Sequence, residues 1–161
     1  MFYKFSRAIV RSPCETVVNG LSEFGIKPEY HALNDEHLNY IACLKKLGLS
    51  VDILEANEVL PDSVFVEDPA LVFKNAAILL NLGAKSRKGE RALIKPYLKH
   101  NFENFLELEK GSVEGGDILR LNNEILIGLS RRTNQLGAVE LQKLLLQLGF
   151  KSRFVETPNS I

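Results

Sequence analysis

Short apolar runs of strand length alternate along this chain with stretches whose apolar residues recur at helical spacing, and the alternation divides it into units. Ala70-Leu71-Val72 and Ala77-Ile78-Leu79-Leu80 form one pair of predicted strands, joined at Lys74-Asn75 and preceded by Val66-Glu67. Asp117-Ile118-Leu119 and Glu124-Ile125-Leu126-Ile127 repeat the pair, joined at Asn122-Asn123 and preceded by Val113-Glu114. Asparagine at each joint tolerates the left-handed backbone of a tight hairpin. A glycine and a basic turn follow both pairs, Gly83-Ala84-Lys85-Ser86-Arg87 and Gly128-Leu129-Ser130-Arg131-Arg132, and then comes a helix. The first is predicted over Glu90 to Leu98. The second runs from Asn134 to Leu148, with Leu141, Leu144, Leu145 and Leu148 as its buried stripe and Gly149 as its end. The repeat is about 47 residues long, near the period of propeller blades.

A more divergent unit precedes these. Its elements are a strand at Phe5-Ser6-Arg7-Ala8-Ile9-Val10, a turn at Asn19-Gly20-Leu21, a helix from about Asp35 to Leu47 and a strand at Ser50-Val51-Asp52-Ile53-Leu54. Asn34 or Asp35 can cap the helix, Lys45 and Lys46 lie at the negative end of its dipole, and Gly48 stops it. Ser152-Arg153-Phe154-Val155 returns as a strand after the last helix in the same way. The unit is therefore strand, strand, helix, strand. Three modules, roughly 1–55, 56–108 and 109–161, make one continuous α/β body without a linker. Such an array leaves sheet and helix surface uncovered at both ends, so self-association, or association with a chain covering the open edges, is expected. The ending at Pro158-Asn159-Ser160-Ile161, just past a strand and without a polar tail, fits a chain cut short.

Composition narrows the classes. At 161 residues the chain can bury a full core without a metal or disulfide staple. Its 20 basic and 20 acidic residues balance, which gives no electrostatic case for nucleic acid or a membrane surface. Met1 to Val10 lacks a long apolar stretch and carries Lys4 and Arg7, so it reads as a first strand rather than a signal peptide, and a cytoplasmic protein is expected. Cys14 and Cys43 belong to no CxxC or Cys/His pattern and should be reduced thiols; His31, His37 and His100 show no ligand spacing. No metal and no other cofactor is expected.

The segment Asp62-Ser63-Val64-Phe65-Val66-Glu67-Asp68-Pro69-Ala70 carries the chemistry. It sets three carboxylates on a stretch otherwise too apolar for a solvated loop. A guanidinium is a flat cation whose N–H groups match carboxylate oxygens in paired, charge-assisted hydrogen bonds, so acids clustered at a strand end suit an arginine-like ligand.

Taken together, Asp62-Ser63-Val64-Phe65-Val66-Glu67-Asp68, Gly83-Ala84-Lys85-Ser86-Arg87-Lys88-Gly89-Glu90, Glu114-Gly115-Gly116-Asp117-Ile118 and Gly128-Leu129-Ser130-Arg131-Arg132-Thr133-Asn134 resemble the dimethylarginine dimethylaminohydrolases. Val18-Asn19-Gly20-Leu21 adds a fifth segment, and the resemblance spans essentially the whole chain. It implies the pentein fold, an α/β propeller of five strand-strand-helix-strand modules around a central site, of which about three are present. It also implies hydrolysis of N-methylated arginine to citrulline and a methylamine by a cysteine thiolate that attacks the guanidinium carbon and a histidine that handles the proton. Carried over, Asp68 would hold the substrate guanidinium. Asp62 and Glu67 would close on its amino-acid part, with the Leu21 backbone on the α-amino group. Arg87 and Arg132 would clamp the α-carboxylate, and Glu114 would orient the catalytic histidine. The family's histidine and cysteine have no counterpart: Cys14 follows the first strand, Cys43 sits inside a helix where it would be an inert small hydrophobe, and no histidine falls at the matching place. The chain alone is thus expected to be inactive, the N-terminal part of such a hydrolase. An arginine deiminase or amidinotransferase, or a non-catalytic module that binds arginine or assembles with a second chain, would share these features.

Overall fold

The computed structural model describes residues 5–22, 25–122 and 124–156. The expected strand start before Phe5, the second asparagine of the 122–123 joint and the Pro158-Asn159-Ser160-Ile161 ending lie outside them. The fold is mixed α/β. It divides into two compact units, Met1–Val66 and Glu67–Ile161, where the sequence pattern reads as three modules of one body.

The N-terminal unit holds β1 (Arg7–Arg11), α1 (Tyr30–Lys46) and β2 (Ser50–Leu54). β1 and β2 pair in parallel from Arg7 opposite Ser50 to Arg11 opposite Leu54. A parallel pair needs a crossover, which α1 supplies. Two expectations are corrected here. Among the described residues no second strand precedes α1; a 3-10 turn at Glu15–Asn19 stands in its place. The helix also begins earlier than Asp35. Glu29 is its cap, and its carboxylate accepts the N–H groups of His31 at 3.1 Å and Ala32 at 2.7 Å. These bonds, that of Ala32 first, hold the Glu29 carboxyl below its ordinary range. Asn34 and Asp35 are interior helix positions instead. Gly48, with φ of 85°, follows the helix as expected. Only Ile41 of α1 is buried, and Cys43 lies on an exposed face rather than packed as a small hydrophobe; Cys14 is the buried thiol, its Sγ 3.2 Å from Thr16 Oγ1.

The C-terminal unit repeats one arrangement twice. β3 (Ala70–Val72), β4 (Ala76–Leu79), α2 (Glu90–Asn101) and β5 (Asn104–Glu107) are followed by β6 (Ile118–Leu121), β7 (Glu124–Leu129), α3 (Gln135–Gln147) and β8 (Lys151–Glu156). In each, the first two strands form an antiparallel hairpin and the last strand lies parallel to the second, across the helix. The left-handed backbone expected at both hairpins occurs at one: Asn122 has φ of 38°, whereas Asn75 has none, and the first hairpin closes through the Phe73 N–H on Ala76 O at 2.8 Å. α2 runs three residues beyond Leu98, and Gly128 belongs to β7, so the second basic turn starts at Ser130.

Both repeats feed one core. Ile78, Leu80 and Leu108 pack with Val113, Ile125, Ile127, Ala138, Leu141 and Leu145, while Leu144 and Leu148 are only partly buried against them. Burying each large aliphatic side chain contributes about 1.5–3 kcal/mol, so the alternation of apolar positions that predicted the strands is also what holds the hairpins and α3 together. Asn134 caps α3, accepting the Gly137 N–H at 2.8 Å.

At the end of β5, Glu107 accepts from Lys95 Nζ and Arg91 Nη2, each at 2.8 Å. The Lys95 bond, opposed by burial and joined by Arg91, holds the Glu107 carboxyl below its ordinary value. A carboxyl depressed in the folded state stabilises above its unfolded pKa, and that stabilisation is lost as pH falls through the folded pKa. Glu107→Gln is therefore expected to lower stability by about 1 kcal/mol at pH 7, with the difference shrinking as pH falls through the depressed pKa of the folded carboxyl. Urea titrations of both proteins across this range check it; a gap that persists in acid would assign the loss to packing.

Among the described residues, no helix is long and apolar enough to cross a membrane, and no group of three or more His, Cys, Asp or Glu side chains is placed to hold a metal ion.

Candidate functional site

In the N-terminal unit, the apolar sequence around Pro61 winds Pro61–Val64 into a 3-10 turn that buries Asp62 and Ser63. Asp62 Oδ1 accepts the Leu21 N–H at 3.0 Å. This carboxylate fixes the backbone at Leu21 and leaves the Leu21 carbonyl a separate acceptor, while the Leu21 side chain is exposed.

The C-terminal unit brings four turn segments against one another. The first carries Glu67, which is exposed, and Asp68, half-buried before β3. The second, Lys85–Arg87, is a 3-10 turn leading into α2, and it sends the Arg87 side chain inward to 4% exposure. The guanidinium of Arg87 forks onto Glu90, with Nε to Oε1 and Nη2 to Oε2 both 2.8 Å, and its Nη1 donates to Asp68 Oδ2 at 2.6 Å. Burial works against this cation, but the bonds to Glu90 and then to Asp68 outweigh it, so its pKa lies above the ordinary arginine value. Arg87 is thus committed to two carboxylates of its own chain and holds the Asp68 carboxylate in place.

The third segment is Glu114-Gly115-Gly116-Asp117. The Gly115 N–H donates to Asp68 O at 2.9 Å, and the approach is so close that a Cβ on Gly115 would fall 2.1 Å from Glu67 O. Only glycine fits there. The fourth, Ser130 to Thr133, backs onto the second, with Gly83 so near that its Cβ would lie 2.6 Å from Arg132 O. Glu114 is 2% exposed, and its Oε2 accepts from Arg132 Nη1 at 3.0 Å; Arg132 otherwise projects outward with 56% of its side chain exposed. Glu114 Oε1 is buried and accepts no hydrogen bond among the described residues. A buried carboxylate oxygen without a donor is costly, and it is a ready acceptor for an incoming N–H.

The segments that carry the sequence-predicted acids and arginines therefore come together as two acid–base pairs, Asp68 with Arg87 and Glu114 with Arg132, on loops that touch. Glu67 stands at the same turn as Asp68, and Asp62 and Leu21 pair within the other unit. Sequence reasoning passed over Glu90, Ser130, Thr133 and Asp117. Glu90 had a signal, since an acid three residues after an arginine at a helix start can reach it. All four stood inside quoted segments without a role. The two hydroxyls gave no signal, because their partners come from a different turn.

The chain as a whole is similar to known proteins. The family described as "N,N dimethylarginine dimethylhydrolase, eukaryotic" matches residues 27–157. The N(G),N(G)-dimethylarginine dimethylaminohydrolase of Pseudomonas aeruginosa is 34% identical over 154 residues, which is 94% of this chain and 61% of that protein. A solved structure of the P. aeruginosa protein, a cysteine-to-serine mutant complexed with citrulline, superposes with a TM-score of 0.91 over 96% of this chain and 62% of its own. The N-terminal domain of ArgZ, bound to product and described as an arginine dihydrolase from the ornithine-ammonia cycle in cyanobacteria, is 18% identical. It shares the fold with a TM-score of 0.82 over 96% of this chain and 59% of its own. The chain spans about three fifths of the length of the curated relatives it matches.

Proposed function

Because the chain belongs to the dimethylarginine dimethylaminohydrolase family, we propose that it forms the substrate-holding part of a hydrolase converting N-methylated L-arginine to citrulline and a methylamine. The observation that carries this reading is the buried Glu114 carboxylate, with one oxygen on Arg132 and the other, among the described residues, accepting nothing. An acceptor held so suits a histidine N–H, which it would orient and whose positive charge it would stabilise. Asp68, held by Arg87, takes the substrate guanidinium by paired charge-assisted bonds. Exposed Arg132 offers its remaining N–H groups to the α-carboxylate, and Arg87, committed to Glu90 and Asp68, fixes the carboxylate that takes the guanidinium. The Glu67 carboxylate holds the α-amino end. The three modules belong to a propeller of five. By the family resemblance, neither Cys14 nor Cys43 and none of His31, His37 and His100 stands at the position of the thiol or the imidazole that performs the substitution. Attack on a resonance-stabilised cation needs both that nucleophile and a carboxylate already in place on the nitrogens.

Calorimetry with NG,NG-dimethyl-L-arginine, alongside an assay for citrulline, tests the division of labour. The 161-residue chain is expected to release heat on binding and to form no citrulline, and Asp68→Asn is expected to weaken binding about tenfold or more. Absence of binding at millimolar ligand would overturn the reading, and citrulline formation would overturn the assignment of the chemical groups.

A further inference from the structure

Behind the Glu114–Arg132 pair lies a second polar cluster, and its hydrogen bonds close on one carboxylate oxygen. Asp117 Oδ2 accepts from the Ser130 hydroxyl at 2.7 Å and from the Thr133 hydroxyl at 2.5 Å. A hydroxyl has one proton, and donating it to Asp117 commits its lone pairs elsewhere. Thr133 Oγ1 accepts the Glu114 N–H at 3.1 Å. Ser130 Oγ accepts the N–H groups of Arg132 at 3.0 Å and Thr133 at 3.1 Å. The backbone of both partners of the ion pair thus hangs on hydroxyls whose direction a single side chain dictates. Thr133 is fully buried, so water is a poor substitute there. The backbone adds two ties of its own, the Asp117 N–H to Glu114 O at 3.1 Å and the Ser130 N–H to Thr133 O at 3.0 Å.

We infer that Asp117 is the positioning residue for both halves of the Glu114–Arg132 pair and, through Arg132, sets the affinity for the carboxylate end of a guanidino amino acid. The second half of this statement rests on the function proposed above. Asp117 touches no substrate in this scheme; it acts through two hydroxyls. Their loss is separable: Ser130→Ala removes the acceptor of the Arg132 and Thr133 N–H groups, and Thr133→Val that of the Glu114 N–H.

Two measurements on the 161-residue chain test it. Amide exchange of the free protein, followed by NMR, is expected to accelerate about tenfold or more at Glu114, Arg132 and Thr133 in Asp117→Ala, with Leu98 in α2 unchanged, and to be largely restored in Asp117→Asn, which keeps an oxygen acceptor. Calorimetry then compares L-arginine with agmatine, which has the guanidinium and lacks the α-carboxylate. Asp117→Ala is expected to weaken L-arginine about tenfold and to leave agmatine within about twofold. Faster exchange throughout the unit, or equal losses for the two ligands, would make Asp117 merely structural and overturn the inference. If the unsubstituted chain binds neither ligand, the proposed function fails and with it the ligand half, while the exchange pattern still decides whether Asp117 orders the pair.

Discussion

Replacing Arg87 with methionine is expected to destabilise the chain by about 3–5 kcal/mol, the usual cost of stripping one partner from a buried ion pair. The size follows from what remains. Glu90 is left with its side chain 3% exposed and both oxygens facing the lost fork, and Asp68 loses the donor that fixes it. Arg87→Lys should recover only part of this, because an ammonium cannot make the two parallel bonds to Glu90 and a third to Asp68 at once. The double variant Arg87→Met with Glu90→Leu should be closer to the unsubstituted protein than Arg87→Met alone, since apolar replacement of both partners leaves no naked charge at Glu90. The cation's pKa is raised in the folded state, so its contribution is complete below the unfolded arginine value and fades only as pH climbs through the folded one; the loss should be flat between about pH 6 and 9. Urea unfolding of the three variants at two pH values checks all of this, and a single-variant loss under about 1 kcal/mol would show that the fork is not formed in solution.

The second large effect is expected at Gly115. A methyl group there would sit 2.1 Å from the Glu67 carbonyl oxygen and 3.2 Å from Asp68 Cα, both backbone atoms that cannot swing aside. Gly115→Ala should cost about 3 kcal/mol and, by prising the Glu114 turn off the Glu67-Asp68 turn, should weaken ligand binding beyond what lost stability explains. Gly116→Ala is the internal control. Its Cβ would meet Asp68 Oδ1 at 3.6 Å, an ordinary contact, and should leave both the melting temperature and the binding heat nearly unchanged. Equal melting temperatures for the two variants would contradict the close approach of these turns.

The strand pairs of the C-terminal unit, its two helices and the Leu141 and Leu145 part of the α3 stripe were legible in the sequence because local pattern and tertiary demand agree there: the apolar runs that favour strands are the ones the shared core buries. The start of α1 was not, since sequence signals favour Asn34 or Asp35 as caps over glutamate, and Glu29 wins only because its carboxylate reaches two N–H groups of the first turn. That, among the described residues, a 3-10 turn takes the place of a second strand in the first unit was hidden by analogy with the later, more regular repeats. At the site, the family's motifs pointed to the acids and arginines, and the one local hint that Arg87 turns inward where Arg132 does not was the acid Glu90 three residues on. That difference depends on Glu90 and on the neighbouring turns packed around it. The hydroxyl cluster at Asp117 was invisible for the same reason: Ser130 and Thr133 acquire their meaning from a turn more than a dozen residues away.

One consequence of the common core bears on dissection. The interior that Leu108 and Ile78 enter from one side and Leu141 and Leu145 from the other has no seam between the two repeats. Severing the chain in the link at Glu109-Lys110, whose backbone N–H groups are already gripped by Glu140 at 2.8 and 2.6 Å, would strip an oily face from each piece and leave neither soluble. The smallest excisable fragment of this half is the duplicate, not its copies.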